Sequence, residues 1–122
     1  MTWLELDETA STQDEALHRL TEPDGPDVVF ASHQTSGRGR FGRTWHSNRG
    51  ESLTMSLILR TAADHPRPWL CGMIAAIEAA RLLDCRVRWP NDLTLDGRKL
   101  GGILTDVKPD QNGRMIPVLR CV

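Results

Sequence analysis

Hydrophobic positions at the start of the chain change from a strand-like to a helical spacing. Residues 3–6 (WLEL) alternate weakly, as in a short edge strand. Thr12 and Glu15 have the spacing of a capping box, which predicts that a helix begins at Ser11-Thr12. The apolar face of this helix would consist of three residues: Ala16, Leu17 and Leu20.

A strand and a long loop follow this helix. Residues 21–26 contain turn and breaker residues, and residues 27–33 are rich in β-forming side chains, so we predict a strand there. From Gln34 to Glu51 the sequence consists largely of Gly, Arg, Ser and Asn without a hydrophobic period, which predicts a loop. Loops of this length are usually functional.

Regular patterns return after residue 51. Residues 52–60 alternate as in a strand with at least one buried face. Residues 69–83 predict a helix that covers a sheet with five apolar residues: Leu70, Met73, Ile74, Ile77 and Ala80. The remaining pattern predicts strands at 85–89, 93–95, 99–106 and 114–122, with hairpin turns at Asp96-Gly97 and Asn112-Gly113. The expected fold is α+β, a mostly antiparallel sheet with helices packed on one face.

Composition and charge limit the classes of function. The chain has 122 residues, 39% of them hydrophobic and 25% charged, which is typical of a single globular domain. No apolar run approaches the roughly 20 residues that span a membrane, and the first residues lack the pattern of a secretion signal, so we expect a cytoplasmic protein without membrane partners. A net charge of -1 gives no general attraction to nucleic acid. The three cysteines and four histidines have no metal-ligand spacing, so no metal site is predicted.

Three arginines are concentrated with glycines in residues 37–45 (GRGRFGRTW). Glycines let backbone N–H groups approach a phosphate closely, and guanidinium groups neutralise phosphate or carboxylate oxygens. This segment therefore suits a polyanionic ligand such as ATP. Trp45 is either an aromatic face for adenine or a core anchor.

Two other functions match parts of this segment. Residues 37–42 fit the dinucleotide-binding pattern GxGxxG, but that motif requires a helix directly after it, and residues 43–50 have no helical period. RNA-binding arginine-glycine segments are usually long and repetitive and occur in basic chains. Both alternatives fit the sequence less well than an ATP site.

A second polar cluster lies in RWPNDL (residues 88–93) and GRKLGGIL (residues 97–104). A hairpin would bring Asp92 and Lys99 together. A lysine beside an acyl-phosphate stabilises charge that develops on the α-phosphate, whereas the simpler interpretation is a surface ion pair across a turn. Gly101-Gly102 would let a small ligand lie against the backbone or would form a bulge.

Four motifs in this order resemble the signature series of the biotin-protein ligases: Ser11-Thr12, Gln34 with GRGRFGRTW, RWPNDL and GRKLGGIL. The match extends from about residue 7 to residue 104. The resemblance implies the catalytic fold of biotin and lipoate ligases, which is like that of class II aminoacyl-tRNA synthetases. It also implies that biotin is activated with ATP to biotinyl-5′-AMP and transferred to a lysine of a biotin carboxyl carrier domain, in acetyl-CoA carboxylase or a related carboxylase.

The resemblance implies roles for individual residues. Ser11, Thr12 and Gln34 are similar to residues that hold the ureido ring of biotin. The tail and carboxylate of biotin would contact the backbone of three residues: Gly37, Arg38 and Gly102. Lys99 resembles the lysine that contacts the biotin carboxylate and the α-phosphate.

The nucleotide side of the site follows from the same resemblance. Arg38, Arg40 and Arg43 resemble a mobile loop that closes over biotinyl-adenylate, with Arg40 retaining it. Trp45 matches a tryptophan near adenine, and Asn91 and Asp92 belong to the WPND motif. The expected catalytic residues are thus Lys99, Arg40 and Asp92. Mg²⁺ would enter with ATP and bind mainly phosphates and water.

Some features depart from the family pattern. Arg88 stands where lysine is usual, and Gly101 where alanine is common. We expect a single catalytic domain shortened at its C-terminus, without an N-terminal DNA-binding domain or a C-terminal barrel. The alternatives are an inactive or binding-only piece of such a ligase and a lipoate or octanoate ligase. Sheet edges left exposed would favour a homodimer.

Overall fold

Seven of the nine strands form one sheet in the computed structural model, which describes all residues 1–122. The strands are β1 (Trp3–Thr9), β2 (Val28–Gln34), β3 (Gly37–Arg38), β4 (Thr44–Trp45), β5 (Thr54–Ile58), β6 (Arg86–Arg88), β7 (Asp92–Leu95), β8 (Arg98–Pro109) and β9 (Met115–Cys121). Their order in the sheet is β1-β2-β5-β9-β8-β7-β6, and β3 and β4 form a separate pair. Only β1 and β2 are parallel, so the predicted mostly antiparallel sheet is confirmed.

The two helices are α1 (Thr12–His18) and α2 (Trp69–Leu83), and they lie on opposite faces of this sheet. Ile58 of β5 packs with Ala16 of α1 and with Leu20, which follows that helix. The adjacent residue Leu57 packs against the cluster that contains Ala76 of α2. Successive residues of a strand point to opposite faces. The α+β class is confirmed, but the helices do not share one face as predicted, because the central strands carry apolar residues on both faces.

The helix α2 has the predicted bounds, but of its predicted apolar stripe only Ala80 is fully buried. Its buried residues are Gly72, Ala76 and Ala80, whereas Ile74 is 59% and Ile77 46% exposed. A Cβ atom at Gly72 would collide with the hydroxyl of Thr105 in β8. Small residues therefore let the helix backbone approach the sheet, and the predicted stripe of large residues points partly to solvent. Neither α1 nor α2 combines the length and apolarity that crossing a membrane requires.

The start of α1 differs by one residue from the predicted capping box. Ser11 is the N-cap, and its hydroxyl accepts a hydrogen bond from the backbone N–H of Asp14 at 3.3 Å. The Thr12 hydroxyl instead forms a hydrogen bond with the Ser56 hydroxyl, 3.0 Å away in β5. This bond ties the start of the helix to the centre of the sheet.

The two predicted hairpin turns have different geometries. Asp96 and Gly97 both have positive φ, 51° and 76°, so the tight turn between β7 and β8 is confirmed. In the second turn only Gly113 has a positive φ. There the Asp110 carboxylate accepts hydrogen bonds from the backbone N–H groups of Asn112 and Arg114, within the loop 110–114 that joins β8 and β9.

Candidate active site

The arginine-rich segment forms a short hairpin, although it was predicted as an irregular loop. Strands β3 and β4 pair Gly37 with Trp45. Between the strands the chain makes a turn at Arg40–Gly42, in which Phe41 and Gly42 have left-handed backbone angles. The backbone N–H of Gly39 donates to the carbonyl of Arg43 at 2.6 Å. We call residues 37–45 the arginine hairpin.

A cavity of about 280 Å³ lies between the arginine hairpin and strands β7 and β8. Seven of the predicted site residues line it: Arg40, Arg43, Trp45, Asn91, Asp92, Lys99 and Gly102. A second cavity of about 370 Å³ shares Arg40 and Leu104 with the first and is also lined by Arg38 and Arg120. The two cavities also share Gly39 and Phe41, and we call them together the groove under the hairpin.

Asp92 and Lys99 face each other across the β7–β8 hairpin, as the sequence predicted. Lys99 Nζ lies 3.1 Å from Asp92 Oδ1, and Arg88 Nη2 donates to Asp92 Oδ2 at 2.7 Å. Burial raises the pKa of Asp92, but the hydrogen bonds from Arg88 and Lys99 outweigh it, so the pKa lies below its ordinary value. Lys99 Nζ also lies 5.0 Å from the centroid of the Trp45 ring. The carboxylate and the ring thus hold the ammonium group at the cavity wall.

Arg40 connects the arginine hairpin to the turn before β7. Its Nη1 donates to Asn91 Oδ1 at 3.2 Å, and its guanidinium lies 4.9 Å from the centroid of the Phe41 ring. Phe41 is 84% exposed and has a positive φ of 58°. This contact closes one side of the cavity with a cation.

Four predicted biotin-binding residues form a buried polar cluster behind the hairpin. The backbone N–H of Thr12 donates to Gln34 Oε1 at 2.9 Å, and Ser11 caps the helix that begins there. Gln34 is 3% exposed, and its Nε2 has no hydrogen-bond partner. A Cβ atom at Gly37 would lie 2.7 Å from that nitrogen. A buried amide without a partner is costly, so this donor suits the carbonyl oxygen of a ligand.

The structure separates the predicted residues into two groups. Ser11, Thr12 and Gln34 do not line the cavity beside Lys99, but Gly37 of their cluster pairs with Trp45, which does. The side chain of Arg38 forms an ion pair with Asp14 of α1.

Backbone contacts account for the two glycines of β8. A Cβ atom at Gly101 would collide with the Val122 carbonyl, and one at Gly102 would lie 3.3 Å from the Asn91 carbonyl. The register between β7 and β8 shifts between Leu93 and Thr94, because Leu93 pairs with Gly101 and Thr94 with Lys99, which leaves Leu100 as the extra residue. The irregularity thus lies next to the two glycines and not at them, and Gly102 lines the cavity.

Arg120 is a site residue that the sequence interpretation missed. It lies in β9, is 9% exposed, and donates from Nη1 to the carbonyl of Arg38 at 3.0 Å. Burial lowers the pKa of the Arg120 guanidinium, and the nearby Asp106 opposes this shift. Asp106 also accepts from Gln13 Nε2 at 2.8 Å. The sequence does contain an indication of this residue, because Arg120 interrupts the apolar run of residues 116–122, but the pattern of that run predicts only a strand.

Sequence comparisons find the same family along nearly the whole chain. The sequence model of the Biotin/lipoate A/B protein ligase family matches residues 3–119. The bifunctional ligase/repressor BirA of Bacillus subtilis is 38% identical over 114 residues, covering 87% of this chain and 35% of that protein. A biotin–[acetyl-CoA-carboxylase] ligase of Mycobacterium tuberculosis is 32% identical over 120 residues, covering 86% of this chain and 45% of that protein. The chain thus spans between about a third and a half of the length of these relatives.

Solved structures agree with these matches. The Helicobacter pylori biotin acetyl coenzyme A carboxylase synthetase with bound biotinylated ATP superposes with a TM-score of 0.75 at 26% identity, covering 98% of this chain and 59% of that one. The Leishmania major biotin protein ligase in complex with biotinyl-5-AMP has the same fold, with a TM-score of 0.74 at 24% identity and coverage of 98% and 56%. Together with the sequence matches, they confirm the resemblance that the four motifs predicted.

Proposed function

The chain belongs to the biotin/lipoate A/B protein ligase family, and from this premise we propose that it activates biotin with ATP and transfers it to a protein lysine. The acceptor in this proposal is a lysine of a biotin carboxyl carrier domain, and the intermediate is biotinyl-5′-AMP. The observation that carries the proposal is the single cavity on which Arg40, Trp45, Asp92 and Lys99 converge.

Lys99 is the residue that we propose for the adenylation step. In that step a biotin carboxylate oxygen forms a bond to the α-phosphorus, the bond from this phosphorus to the β-phosphate bridging oxygen breaks, and pyrophosphate leaves. Negative charge is spread over the phosphoryl oxygens in the transition state, and a prepositioned cation stabilises it. Asp92, 3.1 Å from Lys99 Nζ, orients that cation.

The arginine hairpin supplies the remaining positive charge. Arg40 and Arg43 line the same cavity as Lys99, so their guanidinium groups suit the phosphate oxygens of ATP. The Trp45 ring lies on this wall and offers a stacking surface for adenine. In the transfer step the neutral carrier lysine amine attacks the acyl carbon of biotinyl-AMP, the bond from this carbon to the phosphate oxygen breaks and AMP leaves, and the nitrogen releases a proton to solvent. Arg40 would hold the adenylate until then.

Mg²⁺ accompanies ATP in this proposal. Asp92 is the one carboxylate that lines the cavity beside Lys99, and both of its oxygens already contact cations, Arg88 and Lys99. No group of three or more His, Cys, Asp or Glu side chains is positioned to hold a metal ion. These residues fit a metal ion that is carried by phosphates and water and supplies further charge neutralisation.

The polar cluster of Ser11, Thr12, Gln34 and Gly37 favours biotin over lipoate, the other substrate in the name of the family. The buried Gln34 Nε2 has no partner, and a ureido carbonyl would accept its hydrogen bond. The dithiolane ring of lipoate has no comparable acceptor, so this amide would remain unpaired. A lipoate or octanoate ligase is therefore the second candidate.

The test uses the two lysines of this chain, Lys99 and Lys108. The protein is incubated with ATP, Mg²⁺, a carrier domain and either biotin or lipoate, and the mass of the carrier is measured. We expect a biotin-dependent mass gain that Lys99→Ala abolishes. Lys108→Ala, at an exposed position of the same strand, should leave it unchanged. A gain with lipoate alone would favour the second candidate, and no gain with either would reject ligase activity of this chain.

A further inference from the structure

Arg120 is a cation held within the sheet, at a position that an apolar residue would fill at lower cost. It is 9% exposed, and its Nη2 lies 3.6 Å from Asp106 Oδ2. Its Nε is buried without a partner. Burying an arginine with incomplete pairing reduces stability. The contacts of Arg120 should therefore supply something that an apolar side chain cannot.

The guanidinium of Arg120 holds the base of the arginine hairpin. Its Nη1 donates to the backbone carbonyl of Arg38 at 3.0 Å, across 82 residues of sequence. Arg38 ends β3, directly before the tip that carries Arg40 and Arg43. Asp14 of α1 binds the side chain of Arg38. The main chain of Arg38 is thus held by β9, and its side chain is held by α1.

Arg120 also lies on the floor of the groove that the hairpin covers. The cavity of about 370 Å³ is lined by Arg120 and Asp106 on the sheet and by Arg38 and Arg40 on the hairpin. A change at the Arg120–Arg38 contact would therefore move the residues above the ligand groove relative to its floor.

We propose that Arg120 is a positioning residue that fixes the Arg38 carbonyl and thereby sets where Arg40 and Arg43 stand over the groove. The effect of Arg120 on ATP turnover rests on the proposed function, whereas the effect of Arg120 on the stability of the arginine hairpin does not. A lysine could not replace it fully, because a single ammonium group lacks the planar fork that reaches Asp106 and the Arg38 carbonyl together.

Hydrogen exchange of the ligand-free protein tests this role directly. We expect the backbone amides of residues 37–45 to exchange about tenfold faster in Arg120→Met than in the wild-type chain, because one hydrogen bond from a charged donor is lost. The amides of α2 should keep their exchange rates. Asp106→Asn removes the ionic partner but keeps the bond to Arg38, so its hairpin amides should stay within about twofold. Arg114→Met removes another ion-paired arginine, far from the hairpin, and should leave these amides unchanged.

Unchanged exchange in Arg120→Met, or an equal effect of Asp106→Asn, would overturn the proposal, because Arg120 would then act only as the partner of Asp106. If Arg120→Met does not fold, Arg120→Lys decides the question: faster exchange confined to the hairpin supports the role, and unchanged exchange overturns it.

Pyrophosphate release is measured on the same proteins. If the unchanged chain releases none, the proposed function fails while the exchange data still judge Arg120. If it is active, Arg120→Met should raise the KM for ATP about tenfold with kcat within about twofold.

Discussion

Lys99 Nζ lies 3.1 Å from Asp92 Oδ1, across the tight turn that Asp96 and Gly97 form between β7 and β8. Arg88 reaches the other oxygen of the same carboxylate. One acid therefore orients two cations beside the cavity, and its ionisation couples the site to the stability of this hairpin.

The ionisation of Asp92 predicts a pH-dependent effect of the Asp92→Asn substitution. The pKa of Asp92 is lowered in the folded protein, because hydrogen bonds from Arg88 and Lys99 outweigh burial. The carboxylate thus contributes stability above the ordinary aspartate pKa of about 4, and this contribution is lost as the pH falls through the folded-state pKa. Urea unfolding should show a difference between the two proteins that is constant from pH 7 to 5 and shrinks toward pH 3. A difference that grows on acidification would contradict this assignment.

The unpaired amide of Gln34 predicts a selective loss of biotin affinity. In Gln34→Leu the amide donor is removed and the backbone N–H of Thr12 loses its acceptor, so biotin should bind at least about tenfold more weakly. The free energy of unfolding should fall by about 1–3 kcal/mol for the same reason. Calorimetric titration and urea unfolding measure the two effects. The matched control is Gln111→Leu in the exposed second hairpin turn, and equal biotin affinity in both variants would exclude Gln34 from the site.

Arg40 predicts a salt-sensitive contribution to nucleotide binding. Arg40→Ala removes the guanidinium group that donates a hydrogen bond to Asn91 at the cavity wall. We expect the Kd for ATP to rise about ten- to a hundredfold, because a charged partner of the phosphates is lost. This increase should be smaller at high salt, which screens the interaction. Fluorescence titration at two salt concentrations measures it. Arg67→Ala, on an exposed residue before α2, serves as the control for lost positive charge. If the two substitutions weaken ATP binding equally, Arg40 has no specific role.

The contact between Gly72 and Thr105 predicts a test of the packing of α2. Gly72→Ala places a methyl group against the Thr105 hydroxyl and should destabilise the protein by about 1–3 kcal/mol. Thr105→Ala removes that hydroxyl, so the double variant should recover much of the loss. The exposed Ile74→Ala should stay within about 0.5 kcal/mol. Additive effects of the two substitutions at 72 and 105 would show that this contact does not set the helix position.

Local patterns predicted the elements better than they predicted the packing. The helix at 69–83 and the Asp96-Gly97 turn follow from helical spacing and turn chemistry, and both are confirmed. The predicted buried side of α2 was right for Ala80 and wrong for Ile74 and Ile77, because hydrophobicity favours these large residues, whereas the close approach to Thr105 requires Gly72. Which faces of the sheet receive helices depends on long-range pairing, which no local period contains.

The candidate site divides in the same way. Asp92 and Lys99 could be paired from sequence because one short hairpin joins them. The contacts of Arg38 could not: Asp14 lies 24 residues away and Arg120 lies 82 residues away. The ligand roles of all these residues, the carrier partner, a homodimer and the cytoplasmic location stay predictions.

Biotin-dependent release of pyrophosphate from ATP is the measurement that tests the central claim most directly, because it isolates adenylation from transfer. We predict release that requires biotin and falls at least about a hundredfold in Lys99→Ala, as expected when a cation that stabilises the transition state is removed, with Lys108→Ala unchanged. Release without biotin, equal release by Lys99→Ala, or no release from a folded chain that binds biotin would contradict the account.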